Sequence, residues 1–218
     1  MAKKERKWRI FSPNVSADLE LAHVSPLCGE EEAYIADARF EKEDVSEGDL
    51  SGLELTRCRL SGVVLAGADL TKADFSDVVL DRCDLSGVRL HKASFRRVML
   101  KDCKLSGTDM IEAYLEDVLF QNCIAPYVSF FGARGKRVCW EGCQMEKAIL
   151  SQMRLEKFGF EKCGLTEMEC LNTALQGVDL TTSDIAGIRL AGVELKGAVV
   201  TSIQAAELSR YLGVVVKD

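Results

Sequence analysis

One residue in five is held to a single chemical type from Ile35 to Val200, and few folds can use that period. Written in fives, the chain reads LELTR CRLSG VVLAG ADLTK ADFSD VVLDR CDLSG over residues 53–87. The third residue of each unit, its centre, is Leu, Phe, Ile, Met, Val or Trp in 31 of 34 units, the exceptions being Ala125, Gly135 and Cys170. Two places earlier, 28 of the 34 positions hold Ala, Cys, Val, Ser, Thr or Gly. A helix would repeat its apolar face every 3.6 residues and a strand every 2, so neither carries this pattern alone.

A period of five is met when two residues of a short extended stretch point inward and a turn then rotates the chain onto a new face. Eleven of the 17 glycines sit two places after a centre, among them Gly52, Gly62, Gly67, Gly87 and Gly107. That is the turn position where a type II geometry asks for positive φ. Four such corners close a coil of 20 residues. About 8 coils at the 4.8 Å strand spacing give a rod roughly 40 Å long, each coil touching only its neighbours.

This pattern resembles the pentapeptide-repeat family, whose units run roughly Ala-(Asp/Asn)-Leu-X-X. The resemblance implies an all-β fold, a right-handed quadrilateral parallel β-helix. The expected organisation is an N-terminal arm or cap over residues 1–32, the β-helix over 33–200, and a C-terminal helix and strand over 201–218. Thr201-Ser202-Ile203-Gln204 matches a capping box, and Gly213 stands where a helix ends. The C-terminus also resembles the quinolone-resistance (Qnr-type) members through Leu208, Leu212, Gly213, Val214 and Val216. In those proteins such an end joins two rods, and the paired rod mimics DNA on the DNA-binding saddle of DNA gyrase. The implied partners are therefore a second copy, through Leu208, Tyr211, Leu212, Val214, Val215 and Val216, and DNA gyrase or topoisomerase IV. The alternative is a general interaction or spacer solenoid with another protein partner.

The surface gives two further candidates. One face gathers Asp44, Glu47, Asp84, Glu146, Glu167 and Asp184 against Lys104 and Lys147, a partner-binding acidic face. Its net charge of −4 is small beside the two dozen or so phosphates of a duplex about 40 Å long. The outward residues Val79, Met99, Leu119 and Cys139 lie 20 apart and stack into an apolar stripe, which marks a contact. The arm, with Trp8, Ile10, Phe11 and Val15 broken by Pro13 and Pro26, either caps the first coil or lies along the side of the rod.

The net charge of −6 disfavours direct nucleic-acid binding. No run reaches the roughly 18 apolar residues of a membrane span, and no apolar segment follows the charged N-terminus as a secretion signal would require. Nine cysteines then indicate free thiols and a cytoplasmic setting. Five of them, Cys83, Cys103, Cys123, Cys143 and Cys163, are 20 apart and form an inward ladder. Parallel side chains do not converge on one point as zinc ligands must, so packing is expected rather than a metal site. A filled solenoid leaves no pocket for a held catalytic base, so no enzyme activity and no cofactor are expected.

Overall fold

The computed structural model describes residues 8–30 and 33–217; the charged segment 1–7 and the acidic pair Glu31-Glu32 lie outside them. It is a parallel β-solenoid. The strands are β1 (Glu20–Leu21), β2 (Tyr34–Ala36), β3 (Ala38–Glu41), β4 (Glu54–Ser61), β5 (Asp74–Asp81), β6 (Ser94–Lys101), β7 (Tyr114–Gln121), β8 (Arg134–Glu141) and β9 (Arg154–Glu161). Each pairs in parallel with the next, in the order β1-β3-β4-β5-β6-β7-β8-β9, with β2 also on β4. From β4 onward the register shifts by one coil at every step, as in Leu80 opposite Leu100 opposite Phe120 opposite Trp140 opposite Phe160. The eight-residue strands turn one corner within themselves and cover two faces. The other two faces are ladders of single bridges, such as Asp84 to Lys104 to Ile124.

The corners follow the five-residue phase more strictly than glycine does. From Asp37 to Gly177 every fifth residue has positive φ, and 21 corners along the rod hold residues other than glycine, mostly Asp, Asn, Lys, Arg, Glu and Gln. The expectation that this geometry belongs to glycine is corrected here. A side chain in the left-handed region costs about 1–2 kcal/mol, and the ladder bonds on both sides of each corner hold it there. Asp102, for example, sits at φ 53° while its N–H reaches the Gln121 carbonyl at 2.9 Å.

The inner slots are filled by stacked identical or complementary side chains. Phe120, Trp140 and Phe160 stack with ring centroids 5.5 and 5.0 Å apart, and all three are buried. Gly135 makes room in this column's neighbour: a Cβ there would lie 1.7 Å from the Leu115 carbonyl oxygen. The oversized Met153, Phe158 and Met168 and the small Cys170 are likewise buried together, so volume is traded between adjoining slots. The ladder thiols lie in the same dry interior. Those of Cys83, Cys103, Cys123, Cys143 and Cys163 each reach a main-chain carbonyl 23 residues back, at 3.3 to 3.5 Å. Thr108 uses its hydroxyl in the same way on Leu85, at 2.7 Å. The slot therefore accepts a small weak donor as readily as a methyl. The Cys103 thiol above it and burial hold Cys83 far above the ordinary thiol range, and burial pushes Cys170 up to about 12.

A solenoid leaves backbone groups without a next coil at both ends, and each end is closed with a glutamate. At the start, Glu43 replaces a small inward residue and accepts the N–H groups of Val24 and Ser25 at 2.9 and 3.3 Å. At the finish, the phase that runs to Val200 in the sequence is broken by a 3₁₀ turn, Val193–Leu195. Val193, due to point inward, is exposed, and Glu194, due to point outward, is only 4% exposed. The reason is electrostatic: the turned-in carboxylate accepts the N–H groups of Asn172 and Ala191 at 3.0 and 2.9 Å, which have no coil above them to bond.

Burial alone would raise the Glu194 carboxyl, but these N–H donors outweigh it and hold it below the ordinary glutamate range. A carboxyl lowered on folding contributes stability above its unfolded value and loses it as pH falls through the folded one. Glu194→Gln should therefore cost about 1.5–3 kcal/mol at pH 7. The gap between wild type and variant should close as pH drops below about 4.3, read from urea midpoints across the pH series; a gap that stays constant to pH 3 refutes this role.

The helix α1, Ser202–Leu208, then covers the last coil. Its capping box is complete: the Gln204 N–H donates to the Thr201 hydroxyl, and the Thr201 N–H donates to the Gln204 side-chain Oε1. The Gln204 amide also reaches back to the Leu180 and Ser183 carbonyls, both at 2.9 Å. At seven residues α1 is far short of a membrane span, and no helix among the described residues is long and apolar enough to cross one.

Candidate partner-binding surfaces

The apolar stripe is not open. Val79, Met99 and Leu119 are half-buried and Cys139 is fully buried, because the N-terminal arm runs along them. Residues 8–14 pass down the rod against coil order: Trp8 lies over Gly159, Phe11 meets β7 and β8, and Asn14 meets β5. The later part of the same segment closes the first coil. Strand β1 pairs with β3, Val24 is buried, and Gly29 N–H bonds to the Asp49 carbonyl at 2.8 Å. The arm thus does both things the sequence left open, side contact with its first half and end closure with its second.

What seats the first half is a row of alternating charges on one corner, 20 residues apart: Asp37, Arg57, Asp77, Arg97, Asp117, Arg137. Each arginine clasps the aspartate one coil back through two nitrogen–oxygen pairs of 2.5 to 2.7 Å. Asp77 and Asp117 are nearly buried, and their Oδ1 atoms also accept the N–H groups of Asn14 (2.9 Å) and Phe11 (3.1 Å). Burial would raise the Asp77 carboxyl, but the Arg97 clasp and the Asn14 N–H bring it below the usual carboxylate range. Arg137 also lies 5.5 Å from the Phe11 ring centroid. Reading whole faces for net charge conceals this row, since its signs cancel; reading a single corner position every 20 residues reveals it.

The acidic face has a structural use as well. Asp44, Asp84 and Asp184 turn Oδ1 onto the N–H two residues on, at Ser46, Ser86 and Ala186, all at 3.0 Å. The same turn closes Asp49, Asp69, Asp109 and Asp179. Aspartate before the centre is thus a turn residue. The Ser46 hydroxyl and N–H lower the Asp44 carboxyl. At Asp84 burial is outweighed by Ser86 and by Lys104, 3.4 Å away. Glu146 meets Lys147 at 3.8 Å, while Glu47 and Glu167 lie against the corner glycines Gly67 and Gly187. The six residues form one face along the whole rod rather than one cluster.

At the C-terminal end the expected pairing residues divide into two groups. Leu208, the last residue of α1, is buried and Tyr211 packs half-buried, its hydroxyl donating to the Ile188 carbonyl; these two close the coil. Leu212, named with them as a pairing residue, is instead 79% exposed, because the helix ends in a 3₁₀ turn that swings it outward. Val214, Val215 and Val216 were expected to form a strand and do not. They follow Gly213, at φ 70°, as an exposed tail that pairs with no strand among the described residues. Ile203, 82% exposed, is a further uncovered apolar side chain of this terminal segment.

One group of potential metal ligands occurs among the described residues, outside the thiol ladder. Cys139, Glu141 and Glu161 have ligand atoms within 4.8 Å of one another, near Trp8 of the arm.

The family described as the pentapeptide repeat region matches residues 53–130 and 73–148. No curated protein matches the chain in sequence. Among solved structures, the chain is similar to a trypsin-treated form of QnrB1, a plasmid-mediated fluoroquinolone resistance protein. The two are 20% identical over 88% of this chain and 95% of that one, with a TM-score of 0.41. It is also similar to HetL from the cyanobacterium Nostoc sp. strain PCC 7120, a pentapeptide repeat protein involved in heterocyst differentiation regulation, at 17% identity over 80% and 90% and a TM-score of 0.37. The pentapeptide repeat region is thus matched over residues 53–148, and the five-residue phase and 20-residue coils run on beyond it at both ends.

Proposed function

We propose that this protein is a non-enzymatic interaction rod that pairs end to end with a second copy and presents its acidic face, as a DNA mimic, to DNA gyrase or a related type II topoisomerase, protecting it from quinolones. The observation that carries the reading is the C-terminal end. The last coil is already closed by Gln204, Leu208 and Tyr211, yet Ile203, Leu212, Val214, Val215 and Val216 are left exposed beyond it. An apolar surface that the chain's own cap does not need is best explained by a partner, and a twofold copy meets it with the same residues. The resemblance of Leu208 to Val216 to the Qnr-type end supplies the choice of gyrase.

The turn role of Asp44, Asp84 and Asp184 favours a second reading, a solenoid that binds a different protein partner, because these acids are accounted for without a DNA-binding target. A gyrase supercoiling assay with added quinolone separates the two. Under the first reading, wild-type protein restores supercoiling at micromolar concentration, and Glu47→Lys with Glu146→Lys and Glu167→Lys abolishes the effect. No restoration at any concentration removes the gyrase reading and leaves the second.

A further inference from the structure

We infer that the corner carrying Asp77, Arg97, Asp117 and Arg137 is a groove for an extended chain, read through backbone N–H groups three residues apart, and that residues 8–14 occupy it as a strap that leaves without the rod unfolding. Two features of the arm contact lead to this. The first is a repeated, matched geometry. At Asp77 and again at Asp117 an arginine holds both carboxylate oxygens, and Oδ1 is left to accept one arm N–H. Asn14 and Phe11 are three residues apart, about 10 Å of extended chain, and their acceptors are two coils apart, again about 10 Å. A third step of the same length reaches Trp8. There the corner residue is Lys157, which has no acceptor, and the outward position is Gly159, which leaves the indole room. The groove thus fixes both the spacing and the direction of its occupant.

The second feature is how little else holds the arm. Residues 8–16 belong to no strand, and Phe11 is 53% exposed. A crevice of about 490 Å³ lies beneath the arm, between Trp8, Ile10, Pro13, Met99 and Leu119. The coils, in contrast, bond main chain to main chain at nearly every residue. Segments with few backbone bonds and loose packing open at far lower cost than the fold around them. Opening uncovers Met99, Leu119 and Cys139, and Cys139 is the natural reporter: it is buried at the rod's outer surface under the arm, whereas Cys83, Cys103 and Cys123 are buried in the interior.

The test labels full-length protein with iodoacetamide under native conditions and follows each cysteine by peptide mass analysis. Exposed Cys28 should react first, Cys139 next, and the interior ladder only with global unfolding. Asn14→Pro removes one N–H donor from an extended arm that already holds Pro13, and it changes no residue of the rod; Asn14→Ala keeps the donor. Cys139 should be labelled at least about tenfold faster in Asn14→Pro than in Asn14→Ala, with the melting temperature unchanged. A synthetic peptide of residues 8–16 added to Asn14→Pro should slow the labelling again. The same peptide methylated on the Phe11 and Asn14 nitrogens should not. If Cys139 reacts in step with Cys83, Cys103 and Cys123, or if the two Asn14 variants react alike, the strap is overturned. If both peptides protect, or neither does, the groove is overturned.

Discussion

Leu100→Asp should abolish the fold outright. Leu100 is fully buried, paired in register between Leu80 and Phe120 and walled by Val98 on the same strand. Removing the side chain gives up about 1.5–3 kcal/mol of apolar burial. The carboxylate that replaces it has no partner in a dry core, which adds several kcal/mol more. Together these approach the 5–15 kcal/mol that holds a typical domain. The solenoid makes matters worse, since each coil is supported only by its neighbours and a break at mid-rod exposes core on both sides. The expected result is insoluble protein or a circular dichroism spectrum without its β signal. The contrast is Asp102, two residues along on a corner, where φ is 53° and the side chain meets Asn122 at 3.2 Å and Lys101 at 3.9 Å on the surface. Asp102→Gly should be neutral or slightly stabilising, because glycine takes that backbone without strain. A soluble, cooperatively melting Leu100→Asp protein refutes the inward column.

These two positions show which parts of the fold are legible in the sequence. Leu100 and Asp102 differ only in their place within a unit of five, and that place alone sets one inside and the other on a corner. The same holds for five of the buried cysteines, Cys83, Cys103, Cys123, Cys143 and Cys163, whose spacing of 20 puts them in one slot. The phase is legible because every coil imposes the same geometry on its neighbour, so the constraint recurs. It fails where recurrence ends. At Val193 and Glu194 no further coil offers acceptors, and satisfying the stranded N–H groups outweighs burying a valine. A period taken from the interior carries no information about that boundary.

The arm was out of reach for a different reason. Residues 8–16 have no five-residue phase, so only their partners could have placed them, through the alternating Asp and Arg at a single corner. The acidic face presents the opposite difficulty. Asp44, Asp84 and Asp184 are plain in the sequence as charge, but their turn hydrogen bonds depend on backbone direction, which the sequence does not display. A charge can be counted from the sequence, whereas the N–H it faces has to be located in three dimensions.

The full-length protein should scatter light as twice its 24.0 kDa mass at tens of micromolar, and Val215→Asp should return it to a monomer. Val215 is 81% exposed in the single chain, so the substitution removes no contact of the solenoid and should leave its melting and its circular dichroism unchanged. Any effect on association then belongs to the interface. If Leu212, Val214, Val215 and Val216 bury against their twofold copies, a carboxylate at Val215 is desolvated without a partner, at a cost of several kcal/mol. Each 1.4 kcal/mol is tenfold in affinity, so dissociation should strengthen by more than a hundredfold. Leu208→Asp makes the comparison sharp. Leu208 is only 6% exposed and belongs to the cap, so its loss should lower the melting temperature as well as weaken pairing. An end-to-end pair would also double the rod to roughly 80 Å, giving a single span long enough for the DNA-binding saddle of a topoisomerase. A wild-type protein that stays monomeric at tens of micromolar removes the pairing surface, and with it the observation on which the gyrase proposal rests.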